Sequence, residues 1–277
     1  MDIIATIQEA LRIGRAHKSL WLFGLWVGFG TLGGGGRGGD SAQAPVAVAP
    51  PEPGIVLPLV FIGLAVIIGL VILKFVSTGA LIEGVKRARR NASLTVREGF
   101  REGWAHCGVL FRIAVLYFVA NLVSVVLLAG PAVLAGRLFG DGPTHFIAVA
   151  LAVIVGVPWL VTLYLWRAFA ERIAVFENRQ AMDAIRKARL FLHGRVRLGL
   201  KLLVASFLGV LFIGVTGLAI GVPVVALLVA SSALWGVIGA VALGVPTLLP
   251  VFFIVIALIG IMTSSVWTIG YLTQVES

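Results

Sequence analysis

Residues 183–186 read Asp-Ala-Ile-Arg. The same order of residue types (acid, small, bulky apolar, arginine) occurs at Glu9-Ala10-Leu11-Arg12 and Glu98-Gly99-Phe100-Arg101. Two positions past each arginine stands another small residue: Gly14, Gly103 or Ala188. A histidine closes each segment, His17, His106 or His193, and a hydrophobic span follows. The spacing predicts one unit used three times, an amphipathic surface helix feeding a hairpin of membrane spans, with pseudo-repeats at about 1–82, 83–170 and 171–277. Chance convergence is the competing account, since helices entering a membrane share this alternation of charge and apolar residues.

Outward from these copies the chain is overwhelmingly apolar. Of 277 residues 60% are hydrophobic and 12% charged, with a mean hydropathy of +1.07. A soluble domain carries about 25% charged residues. Spans of roughly 20 apolar residues recur, as a bilayer core requires. No polar stretch is long enough for a soluble catalytic domain, so the expectation is a single integral membrane domain without enzymatic activity. The single Cys107 excludes an internal disulfide and says little about compartment.

The first helix is expected over 2–18, with Ile3, Ile4, Ile7, Leu11 and Gly14 on one face. The apolar run 20–32 covers only about 20 Å, short of a ~30 Å hydrocarbon core. Ala42-Gln43-Ala44 resembles a signal-peptide cleavage site. That reading is disfavoured, because a glycine run separates the site from the apolar segment and Pro45 follows it directly. Residues 33–54 form a flexible Gly/Pro linker. Further spans are expected at about 55–82, 107–129, 145–169, 198–230 and 246–273. Thr95 and Glu98 have capping-box spacing at the start of the second surface helix. Gly130, Pro131, Gly140, Asp141, Gly142 and Pro143 mark an exit loop, and Gly221-Val222-Pro223 is a candidate break in the fifth span. Pro158 is expected to kink the fourth. Residues 231–245 carry no charge and read equally as a tight turn, a re-entrant piece or an extra helix.

The net charge of +10 is placed as a membrane protein places it. The N-terminal segment and two connections hold 18 of the 22 cations, while the opposite side has only Arg37 and Arg137. This asymmetry predicts an all-α polytopic fold with six transmembrane helices, both termini cytoplasmic, in a bacterial inner membrane. The partner implied is anionic lipid, with protein partners or a second copy also open, and not nucleic acid.

The other two cations, Lys74 and Arg112, lie within spans. Lys74 sits nine residues before Glu83, about 13 Å below the cytoplasmic end by helical rise. Two readings stand side by side: snorkelling to the headgroups, or a basic pocket for a phosphate headgroup completed by Arg167 and Lys201. Glu171 is the competing partner for those cations. His17, His106 and His193 invite a metal reading, but no carboxylate or cysteine set supports it, and no metal or cofactor is expected. Asn121 and Ser124 are expected to bond neighbouring helices. Trp21, Trp26, Trp104, Trp159, Trp166 and Trp267 read as interfacial anchors. Glycines along the second, fifth and sixth spans read as close-packing positions.

Three segments carry a family resemblance. IQEALRIGRAHKSLWLFGLWVG (7–28) resembles the start of many bacterial multi-span proteins, and RAFAERIAVFENRQAMDAIRKARLF (167–191) and TIGYLTQ (268–274) resemble the same group. It is similar to the membrane domain attached to some glycerophosphodiester phosphodiesterases and to its stand-alone relatives. The resemblance implies an integral membrane module. It transfers no catalytic residue, because the phosphodiesterase chemistry needs a soluble barrel with acidic metal ligands. The functional expectation is therefore a module that binds anionic lipid or scaffolds a membrane assembly. The alternative is a transporter or permease-like subunit for a small, anionic or lipidic substrate.

Overall fold

Apolar sequence of this density becomes helix, because only internal hydrogen bonding satisfies the backbone away from water. The computed structural model describes residues 3–32, 53–90, 92, 94–140 and 142–275, and all their regular structure is helical. The elements are α1 (Ile3–Ala16), α2 (Ser19–Leu32), α3 (Pro53–Arg89), α4 (Val96–Phe139), α5 (Pro143–Glu177) and α6 (Ala181–Leu192). A last helical stretch, Val196–Val275, is broken at Gly236 (φ 69°, ψ 175°), giving α7 (196–235) and α8 (237–275). Five of these helices are long and apolar enough to cross a membrane, and α2 is a shorter apolar helix. In α3, large side chains from Val60 to Ile72 stand exposed in an unbroken apolar run. Water does not tolerate such a surface on a monomer. The chain is a multi-pass integral membrane protein.

Local chemistry sets the boundaries. The first break falls at His17-Lys18, where Trp21 Nε1 donates to the Gly14 carbonyl at 2.7 Å, satisfying an orphan acceptor at the end of α1. The α4 N-terminus is the expected capping box: the Thr95 amide donates to Glu98 Oε2 at 3.2 Å, and the Glu98 amide to Thr95 Oγ1 at 3.4 Å. α5 ends on Asn178 in the left-handed conformation (φ 50°), and α6 is followed by Gly194 at φ 81°.

Three expectations change, and the open reading of 231–245 is resolved. The second surface helix is not separate, since α4 runs unbroken from Val96 to Phe139. No turn residue falls between His106 and the span, whereas a break follows His17 and Gly194 follows His193. α4 also runs through Gly130 and Pro131, so the exit loop is shorter; Gly140 (φ 66°) opens it and Pro143 begins α5. A proline inside an apolar helix is tolerated when neighbours re-satisfy its freed carbonyl. Likewise α7 continues through Gly221-Val222-Pro223, and the uncharged stretch 231–245 is helix broken only at Gly236. The linker expected at 33–54 lies outside the described residues, except Pro53 and Gly54, which already belong to α3.

The described residues divide into two compact units, those within 1–104 and 205–266, and those within 105–204 and 267–275. In the first, a Cβ at Gly24 would meet the Ala257 carbonyl at 2.5 Å, and Cβ atoms at Gly28 and Gly260 would collide with the Ile256 and Gly24 carbonyls. α2 and α8 thus approach backbone to backbone on a Gly-x-x-x-Gly face. Phe23, Leu81, Ile82, Ile256 and Ile261 fill the surrounding core. In the same unit a Cβ at Gly244 would reach Leu228, at Gly217 Val255, and at Gly209 Met262. Each pair is equidistant from Gly236 to within one residue, so α7 and α8 form an antiparallel hairpin with Gly236 at its tip.

The second unit centres on aromatic packing. Phe169 meets Trp267 edge-on at 5.7 Å, Tyr164 meets Trp267 at 5.8 Å, and Phe176 stacks on Tyr271 at 5.5 Å. α4 and α5 run antiparallel: Trp159 Nε1 donates to Ser124 Oγ at 2.9 Å, and Gly156 faces Leu128. Ser124 thus bonds a neighbouring helix as expected, whereas Asn121 bonds its own, to the Tyr117 carbonyl at 2.7 Å.

The three sequence copies share one local feature. The small residues at both conserved spacings are buried in every copy: Ala10 and Gly14, Gly99 and Gly103, Ala184 and Ala188. Lying four apart, each pair marks one helix face. The arginines Arg12, Arg101 and Arg186 are exposed in all three.

Candidate functional site

The four cations picked out as a headgroup pocket have different surroundings. Lys74 lies half-buried in α3, in the first unit, and its carbonyl accepts the Thr78 hydroxyl at 2.9 Å. Arg112 on α4 and Lys201 on α7 are exposed, both in the second unit. Arg167, also in the second unit, is engaged by the anticipated competitor: its Nε donates to Glu171 Oε1 at 2.9 Å.

Glu171 holds a second arginine that sequence reasoning counted as a loop cation. Arg172 is only 5% exposed. Its Nη1 donates to the Ala168 carbonyl at 2.8 Å and to Glu171 Oε2 at 3.3 Å, while its Nε has no hydrogen-bond partner. The signal was in the sequence. Ala168, Phe169, Ala170 and Ile173 to Val175 surround the pair with apolar residues, and all are buried.

Another group of cations lies on and just after α6. This helix turns Ala181, Ala184, Ala188 and Leu192 inward, a spacing of one helical face. Arg186, Arg189 and His193 fall at i, i+3 and i+7 on another. With Trp166 of α5 and Leu190 they line a cavity of ≈ 270 Å³. The Arg189 guanidinium carbon sits 4.9 Å from the Trp166 ring centroid, a cation–π contact that fixes the arginine at the cavity wall. The neighbouring Lys187 is neutralised, its Nζ 2.6 Å from Glu177 Oε2. Arg186 and Arg189 make no ion pair among the described residues, and no carboxylate lines the cavity. Two guanidiniums and an imidazole thus share one cavity with an indole, a donor set whose chemistry suits an anion.

Other candidates do not converge in this way. His17 belongs to the first unit, and His106 and His193 to the second. Among the described residues no three His, Cys, Asp or Glu side chains come together as a metal set. Cys107 is half-buried in α4. In the first unit an apolar groove of ≈ 890 Å³ runs between α7 and α8, past Gly214, Gly217, Gly221 and Gly244.

Arg186 and His193 were conspicuous in the sequence as members of the repeat, and Trp166 as an anchor. Their meeting with Arg189 depends on how α6 packs against α5, which the local pattern does not contain. Comparison with known proteins returns no matching family model, no matching curated protein and no matching solved structure.

Proposed function

We propose that this protein is a non-enzymatic membrane module that binds anionic lipid at its cationic end. The observation carrying the reading is the Arg186–Arg189–His193 cavity beside Trp166, which gathers positive charge with no acid at its wall. Each cation near a lipid surface contributes about 1 kcal/mol of attraction to anionic headgroups. Glu171 is occupied by Arg167 and Arg172, and Glu177 by Arg179 and Lys187, while Asp183 in the first turn of α6 lies outside the cavity wall.

The charge distribution orients the module. With α2 counted as a short sixth span, the segments rich in Lys and Arg fall on one side and both termini are cytoplasmic, in a bacterial inner membrane. α1, the first turns of α4, and α6 then lie at the cytoplasmic interface as three repeat copies, each ahead of a hairpin. Arg112 and Lys201 reach the headgroups by snorkelling, and Lys74 supplies a deeper cation.

The test is native mass spectrometry of protein released from nanodiscs holding equal amounts of phosphatidylglycerol and phosphatidylethanolamine. Retained lipid enriched in phosphatidylglycerol is expected, with the enrichment reduced by Arg186→Gln/Arg189→Gln and little changed by Lys74→Ala/Arg112→Ala. Equal retention of both lipids by the wild type overturns the reading.

A further inference from the structure

Beside the cationic cavity lies a second void, ≈ 190 Å³, between α4, α5 and α6. Leu116, Tyr117, Ala120, Leu163 and Ile185 line it, and it shares Trp166 and Arg189 with the first. The two are therefore neighbours across one wall, the first cationic and the second almost wholly apolar. Tyr117 is 4% exposed, and its hydroxyl has no hydrogen-bond partner. A buried donor without an acceptor points to a ligand atom that supplies one.

Position along the helices fits this arrangement. Tyr117 lies seven residues before Ser124, and Trp166 seven after Trp159, the two residues joined by the hydrogen bond between α4 and α5. In an antiparallel pair these steps carry both residues about 10.5 Å the same way, so Tyr117 and Trp166 sit level. Tryptophan at such a level belongs at the headgroup boundary. Within one ligand the order is thus an anion against Arg186, Arg189 and His193, an acceptor near Tyr117, and an apolar chain beyond it.

We propose that the paired cavities hold one anionic glycerophospholipid with ester-linked chains. Its phosphate meets Arg186, Arg189 and His193, an ester carbonyl accepts the Tyr117 hydroxyl, and the first carbons of that chain fill the apolar void. The inference rests on the anionic-lipid reading and adds the linkage chemistry. Water does not replace the chain, because it needs two to four polar partners and the void's lining is almost wholly apolar. A free phosphate leaves both the hydroxyl and the void unfilled. At about 30 Å³ per water-sized volume the void takes roughly six such volumes, enough for the top of one chain.

The experiment compares retention of ester-linked phosphatidylglycerol with its diether analogue, which keeps the headgroup and lacks the carbonyls. Native mass spectrometry is run on protein equilibrated with an equal mixture. The wild type is expected to favour the ester lipid roughly two- to tenfold, the ratio that one net hydrogen bond gives. Tyr117→Phe is expected to bring the ratio to about one while phosphatidylglycerol is still preferred over phosphatidylethanolamine. Ala120→Phe, which fills the void from α4, is expected to lower occupancy of either anionic lipid and gives a second route if Tyr117→Phe does not fold. A wild type that prefers anionic lipid but treats ester and ether alike overturns the inference and leaves the anionic-lipid reading standing. Loss of any anionic preference overturns both. Displacement of the bound lipid by millimolar inorganic phosphate assigns the cavity to a free anion and also overturns it.

Discussion

The Tyr271 hydroxyl donates to Glu177 Oε1 at 3.1 Å, joining residues 94 positions apart. The same carboxylate accepts Arg179 Nε at 2.9 Å and Lys187 Nζ at 2.6 and 2.7 Å, so its lone pairs are filled from the turn after α5, from α6 and from the end of α8. Phe176 stacks on the Tyr271 ring beside it. Glu177→Gln is expected to destabilise the second unit by about 1–3 kcal/mol, because it leaves a partly buried hydroxyl and two cations short of their acceptor. The exposure of Arg179 and Lys187 keeps the cost toward the low end. Tyr271→Phe removes one bond and keeps the stack, so about 1 kcal/mol is expected. Thermal unfolding in a neutral detergent ranks the two; equal melting temperatures for all three proteins refute the role given to Glu177.

The approach of α2 to α8 makes a prediction about glycine. Gly28 and Gly260 leave no room for a Cβ against a facing carbonyl, whereas Gly63 and Gly69 on α3 have nothing within 4 Å. Gly260→Val must push the helices apart, at an expected cost of about 1–3 kcal/mol as in other overpacked interiors. Gly69→Ala is expected to be neutral or to stabilise α3 by about 0.5–1 kcal/mol through helix propensity. If both substitutions move the unfolding transition alike, the glycines are not close-packing positions.

Much of this is legible in the sequence, and the rest is not, for identifiable reasons. Hydropathy located the long spans because a bilayer demands about 20 apolar residues wherever a helix crosses. Thr95 and Glu98 announced their cap because that motif is wholly local. Pro131 and Gly221-Val222-Pro223 look like breaks to a rule learned in water, yet both stretches stay helical. The real break is Gly236, flanked by small and apolar residues; only its positive φ distinguishes it, and sequence does not display a dihedral. Close packing is expected along the second span, where Gly63 and Gly69 have nothing within 4 Å, and not at Gly24-x-x-x-Gly28, whose partner Gly260 lies on a helix far along the chain. Arg172 was misread for the opposite reason. Charge suggests a surface, whereas Arg172 takes the Ala168 carbonyl and Glu171 as partners within its own helix and is buried with its apolar neighbours.

The capping box at α4 is testable by itself. Thr95→Ala removes the acceptor for the Glu98 amide and breaks the reciprocal pair, at an expected cost of about 1 kcal/mol. The effect should be confined to the first turn. Hydrogen exchange is the appropriate probe, with faster exchange of the Arg97 and Glu98 amides expected and those beyond Leu110 unchanged. Unchanged protection at Glu98 would mean that the cap adds nothing to the helix start.

Glu171 and Arg172 give the sharpest expectation on stability, because removing one member and removing both should differ in kind. Glu171→Gln strips the carboxylate from an arginine that is 5% exposed and already has one unsatisfied nitrogen. Breaking a buried pair by deleting one partner costs about 3–5 kcal/mol, since the remaining charge is left without compensation. Replacing both, as Glu171→Leu/Arg172→Met, removes the charge together with its desolvation cost and keeps most of the volume. Such replacements are often neutral or stabilising by about 1–4 kcal/mol. Arg167 loses its partner in either protein, but it is half-exposed and can turn outward, so it does not separate the two results. A double variant that unfolds as readily as Glu171→Gln would show that the pair is needed for its geometry, through the bond to the Ala168 carbonyl, rather than for its charge balance.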